Sequence, residues 1–466
     1  MKKIVIIFLH FITLLSIFVI VASIPRKNDL EVEKFTGILE RNVTIQVLEN
    51  DTAIKQGYLK ELIDAFNLKY KEYGIVAKDA NMDQFSDLEQ DGPYGYGPDV
   101  LYQANDRLMR YVDGKHIQPL PVSTLNTYDQ IDIKAWSTYN REVEGINYTF
   151  GVPVNVQGPL MYYRKDLLPS NWKTTYDKNN NDIPDMLESW NEMYRFSLEK
   201  RSSGLFGYMR SFLEPYFSAG YLFSYGGYAF GDNDTNQSDI GFSKGESYKG
   251  ASVIRQLATL MDERCIDDTI TVTAYSQLAK GNFFATITTP DVYTLFADEF
   301  KKEGVSLDNL GVSNIPMLPK SGDLTEVNPE LIPCKMMGGI QGYAISSYTK
   351  APNASLAFID FATSYEMIIR RNELLGIAPA RNDCAFEIGG LSQVINDNLK
   401  NGFIAIMPSI KATSQIWTPL QTLFQDIAKD PFRSGNEQAK YLKKEEFQAA
   451  LERVDKQIYD AIHTLQ

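Results

Sequence analysis

Asp177, Asn179, Asn181, Asp185 and Glu188 fall at positions 1, 3, 5, 9 and 12 of one twelve-residue stretch. That is the spacing with which a looped chain wraps Ca2+ in oxygen ligands. Ile183 at position 7 would add its backbone carbonyl. Position 6 needs a left-handed backbone, usually glycine. Asp182 stands there, one of the few other residue types that tolerate it. A structural Ca2+ held by Asp177, Asn179, Asn181, Ile183, Asp185 and Glu188 is therefore expected, against the plainer reading of a polar turn. Its ligands would all come from one loop, so the ion would tie the loop to the helix that follows rather than take part in chemistry.

Two further groups could bind small molecules. Tyr216, Phe217, Tyr221, Phe223, Tyr225, Tyr228 and Phe230 form an aromatic run. Such rings pack on the C–H faces of sugars while carboxylates and amides take the hydroxyls; they equally well fill a core. Asp106 and Arg107 follow the apolar run Val100-Leu101-Tyr102. An adjacent pair of this kind is ordinarily a surface ion pair, but the carboxyl end of a strand is where open α/β sheets bind ligands. His10, His116 and His463 are the whole histidine complement and lie far apart in sequence, which argues against a His-based metal centre or a Ser-His-Asp triad.

The elements that must position these groups alternate. Val43–Leu48 is β-rich, Leu59, Leu62, Ile63 and Phe66 recur at helical spacing, and strands follow at 74–76 and 100–102. The same grammar returns with a strand at 160–163, a helix at 190–198 and a strand at 283–288. It ends with an amphipathic helix around 356–361 and another over 445–462. This predicts an α/β fold with parallel strands. At 466 residues the chain is long enough for two or three domains. With 59 acidic against 46 basic residues the net charge is −13, and nucleic acid is excluded as a main partner.

Met1-Lys2-Lys3 precedes an uncharged apolar run to Ala22. Residues 1–23 read as an export signal, cleaved near Val21-Ala22-Ser23 or retained as a membrane anchor. No cysteine follows for lipid attachment, and 24–40 read as a tether. Cys265, Cys334 and Cys384 are too few and too scattered for a disulfide framework.

Four segments together resemble the maltose/maltodextrin-binding proteins, the extracellular solute-binding subunits of carbohydrate ABC importers. They are Gly97 to Arg107, Lys165 to Pro169, Glu214-Pro215-Tyr216-Phe217 running to Gly226-Gly227-Tyr228-Ala229-Phe230, and Ile406-Met407-Pro408-Ser409-Ile410 running to Trp417. They occur in family order across 41–466. The resemblance implies a two-lobed periplasmic-binding-protein-like fold with a multi-strand hinge, crossing near 156–159, 313–317 and 388–393. Lobe 1 would be 41–155 plus 316–388, and lobe 2 would be 156–315 plus 389–466 with the calcium-like loop inserted. It further implies that Asp106 and Arg107 bind sugar hydroxyls from lobe 1 and Glu214 from lobe 2. Pro215 and Tyr216 would lie beside Glu214, and Trp417 would be the main aromatic platform. Asp51 and Lys55 lie in a loop where the family has another polar pair.

Departures bear on the ligand. Gln103 and Asp291 stand where well-known members carry Trp, with Tyr293 two residues on. Gln157 stands for a Glu and Gln421 for an Arg. Fewer indole faces and more amides shift recognition from stacking toward hydrogen bonds. The resemblance implies a monomer without catalytic residues that delivers a di- or oligosaccharide to a permease. Two other readings remain: a secreted glycoside hydrolase with Asp106 and Glu214 as its carboxyl pair, and a calcium-stabilised surface adhesin.

Overall fold

The computed structural model describes residues 34–81, 87–266, 269–434 and 437–464, so the apolar segment 1–23 lies outside the described residues. In chain order the strands are β1 (Thr44–Leu48), β2 (Val76–Asp79), β3 (Val100–Ala104), β4 (Asn140–Val143), β5 (Ile146–Thr149), β6 (Val152–Gln157) and β7 (Leu160–Arg164). There follow β8 (Phe206–Tyr208), β9 (Asn236–Ile240), β10 (Phe283–Thr288), β11 (Leu310–Ser313), β12 (Leu318–Pro319), β13 (Leu331–Ile332), β14 (Met336–Ile345) and β15 (Ile404–Ile406). β10 is buried at every position and β6 at all but its last, as befits strands covered on both faces. Helices supply that cover. In Tyr58–Lys69, Leu59, Leu62 and Phe66 form the buried face, and the Phe66 ring meets Phe358 of the helix Pro352–Ala362 at 5.0 Å.

Two sheets result. The first has the order β15-β14-β3-β1-β2, with β6 pairing on β14. The second runs β11-β7-β10-β8. The expected parallel pairing holds for β1, β2 and β3, but β14 runs antiparallel to β3 and β6. The reason is topological: the chain leaves the first sheet at the carboxyl end of β6 and re-enters at that same edge, so the returning strand must point the other way.

Residues 390–406 differ from expectation. β15 pairs parallel with β14, and the helix Gly390–Lys400 packs on β6 and β15. This segment therefore stays with the first sheet, and the third crossing falls after Ile406 instead of at 388–393. Residues 34–40 also depart from the free tether. The Glu40 carboxylate accepts from the backbone N–H groups of Asn353 (3.1 Å) and Ala354 (2.7 Å), two orphan donors at the start of the helix Pro352–Ala362.

Cys334 and Cys384 are buried free thiols. No helix among the described residues is long and apolar enough to cross a membrane.

Asp455, on the C-terminal helix Lys444–Thr464, accepts from the backbone of Phe242 and Ser243, and burial pushes its carboxyl up to about 6. Burial likewise raises Asp234 to about 6. A carboxyl whose folded pKa lies above its unfolded value of about 3.8 holds its proton more tightly when folded. Stability therefore increases as the pH falls through about 6 and decreases as it rises through that value. The expected result is a higher melting temperature at pH 5.5 than at pH 7.5. Asp455→Asn should flatten that difference in a pH series of melting curves.

Candidate functional site

A short link joins the two larger sheets. Gln157, the last residue of β6, pairs with Gly339, and Leu160, the first of β7, pairs with Thr288. Only Gly158 and Pro159 separate the two strands. The carboxyl ends of β3 and β6 lie on one side of this link. On the other side lie the carboxyl ends of β10 and its parallel neighbour β8. Residues leaving those four strand ends stand on the two sides of this link, at the position where α/β sheets expose main-chain ends to ligand.

From β3 the chain enters the helix Asn105–Asp113 directly. Asn105 is fully buried: its Oδ1 accepts from Ile340 N at 3.0 Å, and its Nδ2 donates to Met407 O at 2.9 Å and Ser409 Oγ at 2.6 Å. Arg141 also donates to Ser409 O at 2.8 Å. These bonds fasten the segment 407–409 to the strand end that carries Asp106 and Arg107. The turn Lys411–Gln415 then packs on the Asn105–Asp113 helix and leads into Trp417, first residue of the helix Trp417–Lys429. Asp106 is half-buried, and burial pushes its carboxyl up, against the opposing backbone N–H of Arg107 and the Arg107 charge. Arg107 is exposed.

Glu214 immediately precedes the helix Pro215–Ser224, with Pro215 at its first position and Tyr216 at its second. This helix packs on both β14 and the Trp417–Lys429 helix. Gly220 permits the approach: a Cβ there would stand 2.8 Å from the Met336 Cα. Asp106 and Arg107, Gln157, and Glu214 to Tyr216 thus ride on elements that pack against or pair with β14, and Trp417 begins a helix that packs on the Pro215–Ser224 helix. Gln103 pairs opposite Gly342 on the same strand. Tyr293 begins the helix Tyr293–Lys302 beyond the carboxyl end of β10 and is 41% exposed. Asp291 lies in the preceding turn, and its side chain is outside the described residues. Asp51 and Lys55 sit after β1, but they pair with each other at 3.2 Å on an exposed face.

Residues 61–398 match the family described as bacterial extracellular solute-binding protein. The chain belongs to this family. It is 23% identical over 390 residues to the galactooligosaccharide-binding protein of Bacillus subtilis, covering 80% of this chain and 82% of that protein. It is 25% identical over 387 residues to the maltodextrin-binding protein MdxE of the same organism, covering 79% and 82%. A crystal structure of the maltose-binding protein MalE from Listeria monocytogenes, in complex with maltose, superposes with a TM-score of 0.70. That match has 22% identity and covers 90% of this chain and 98% of that one. The likeness shows the two-lobed binding-protein fold, and the family description places this solute-binding protein outside the cytoplasm.

The stretch 177–188 of the solute-binding protein follows β7, whose carboxyl end lies at the opposite end of the sheet from that of β10. Asp177 is buried, and its carboxylate accepts from Asn181 N at 3.0 Å and Asp182 N at 3.1 Å. Asn181 Oδ1 accepts from Ile183 N at 2.9 Å. The side-chain amides of Asn179 and Asn181 donate to the two oxygens of Glu188 at 3.0 and 2.6 Å. Asp182 takes φ 62°, the left-handed backbone that position 6 requires. Asp185 is buried with Oδ2 lacking a hydrogen bond, and the Lys178 ammonium stands 3.7 Å away. Among the described residues no three or more His, Cys, Asp or Glu side chains gather as ready metal ligands.

Three buried charges bearing on the site escaped the reading of the sequence. Glu49, just after β1, forms a two-pronged ion pair with Arg371 at 2.7 and 3.2 Å, and both side chains are almost wholly buried. Arg371 also donates to Asn155 Oδ1 at 3.0 Å and lies 4.2 Å from the Tyr102 ring centroid. Tyr343 donates to Glu49, and Tyr102 to Asn155. One guanidinium thereby binds together β1, β3, β6 and β14, the frame of the first lobe. The other buried charge is Arg210, which pairs with Glu214.

Proposed function

We propose that the protein captures a di- or oligosaccharide between its two lobes and delivers it unaltered to an ABC permease. The observation that carries this reading is the placement of Asp106 and of Glu214 and Tyr216 on helices that pack against β14, with Trp417 on the helix packed against that of Tyr216, beside the carboxyl ends of both sheets. Polar arms and aromatic faces on opposite sides of a hinge are what a ring bearing many hydroxyls needs. In this reading Asp106, Arg107, Glu214, Gln103 and Gln157 bind hydroxyls, and Trp417 and Tyr216 stack. Ligand bound to both lobes favours the closed form, which is the state a permease would select. The relatives named for galactooligosaccharide and for maltodextrin are nearly equally similar, so both sugar series are natural probes.

A thermal-shift screen of about twenty mono-, di- and oligosaccharides from both series tests this, since a ligand at about 100 times its dissociation constant adds about 2.7 kcal/mol to native stability. Stabilisation by one series with no release of reducing ends is expected. Release of reducing ends would establish the hydrolase instead. No stabilisation by any sugar would remove the carbohydrate reading.

We also propose a structural Ca2+ in 177–188, held by Asp177, Asn179, Asn181, Asp185, Glu188 and the Ile183 carbonyl. The donor set fits: Glu188 already lies within hydrogen-bond reach of Asn179 and Asn181, and Asp185 keeps a buried oxygen unbonded. The ion would supply only positive charge between these oxygens. The expected result is a melting temperature lowered by chelator and restored by Ca2+, a response that Asp177→Ala abolishes without altering sugar preference. A melting curve indifferent to chelator would exclude the ion.

A further inference from the structure

Arg210 lies between β8 and Glu214, and its side chain is 3% exposed. Nη2 donates to the Glu214 carboxylate, and the guanidinium lies 3.8 Å from the Phe217 ring centroid. Nε and Nη1 are buried and find no acceptor among the described residues. Burying a guanidinium with donors unmet is costly, and an apolar side chain of similar volume would avoid that cost. A stability role therefore gives no reason for arginine here.

Glu214 supplies one. It occupies the residue before the helix Pro215–Ser224, yet its side chain makes no capping bond to that helix. Among the described residues only Arg210 pairs with its carboxylate. Without that partner the carboxylate, 29% exposed, would be free to rotate among its rotamers and would have to be ordered each time a ligand binds. The planar guanidinium fork, itself fixed by burial and by the Phe217 ring, holds one oxygen and leaves the other available.

We infer that Arg210 is a positioning residue for ligand recognition, holding Glu214 so that its second oxygen accepts from a ligand hydroxyl. This rests on the reading that Glu214 contacts the sugar. The ligand chemistry it selects is a neutral hydroxyl donor, because the carboxylate charge is already matched by Arg210.

The test is a double-mutant cycle on the full chain, using calorimetric affinity for the most stabilising sugar of the screen together with melting temperature. Arg210→Met and Glu214→Gln are each expected to weaken binding about tenfold, and the double variant no more than the weaker single, because both remove the same contact. Arg210→Lys, which keeps the charge and loses the fork, should recover part of the affinity. Wild-type affinity in Arg210→Met with a lowered melting temperature would make Arg210 purely structural. Fully multiplied losses in the double variant would overturn the coupling. Wild-type affinity in Glu214→Gln would instead overturn the role of Glu214 itself, and the inference with it. If Arg210→Met fails to fold, Arg210→Lys decides: weaker binding at a near-normal melting temperature supports the inference, and unchanged binding overturns it.

Discussion

Trp417→Ala weakens binding of the preferred sugar on the order of 100-fold, about 2.7 kcal/mol, and leaves the melting temperature nearly unchanged. Trp417 is half-buried at the first position of its helix, one side against the core. A residue at a helix start makes few packing contacts for the helix to lose, so truncation mainly removes the open ring face. An indole presents a wide apolar plate to the C–H face of a sugar, and alanine presents almost none. Trp417→Phe, with a smaller ring, should lose roughly tenfold. Titration calorimetry beside melting curves checks both. A large fall in melting temperature with intact affinity would assign Trp417 to the core instead.

Arg371→Met has the largest expected effect on stability, roughly 3–5 kcal/mol, because it leaves Glu49 as an uncompensated charge in the first lobe. Glu49 has no exposed side-chain surface on which to regain water. Replacing both members, Glu49→Met with Arg371→Met, should recover much of the loss, since two apolar groups leave no charge behind. Urea unfolding midpoints of the two singles and the double provide the measurement. Equal losses in the single Arg371→Met and the double variant would show that packing, not charge, is at stake. The network also joins β1, β3, β6 and β14, so the single variant should loosen the strand ends that carry Asp106 and Gln157.

Much of the secondary structure was legible because it rests on local pattern. β10, read as a strand over 283–288, begins and ends at those residues, since Phe283 to Thr288 is β-rich and bounded by Gly281 and Pro290. The helix read over 445–462 spans 444–464 because Phe447, Leu451, Val454 and Ile458 repeat on one face. β15 was missed because three residues have no periodicity to detect. Its place in the first sheet depends on β14, more than sixty residues earlier in the chain. Glu49 and Arg371 are 322 residues apart, and an arginine in a helical run carries no sign that it will be buried. Arg210 and Glu214 stand four residues apart, a spacing that could have suggested the pair. What it could not suggest was the burial that makes the pair matter.

By itself the sequence determined an α/β chain with an apolar run near its start, a polar twelve-residue stretch at calcium-loop spacing, and the family whose motifs it carries, all of which follow from residue types at short range. Only the tertiary structure decided which strand ends face one another across Gly158 and Pro159, where the chain makes its third crossing, and which charges are sealed from water. Those outcomes depend on contacts between residues hundreds of positions apart, and no local preference encodes them.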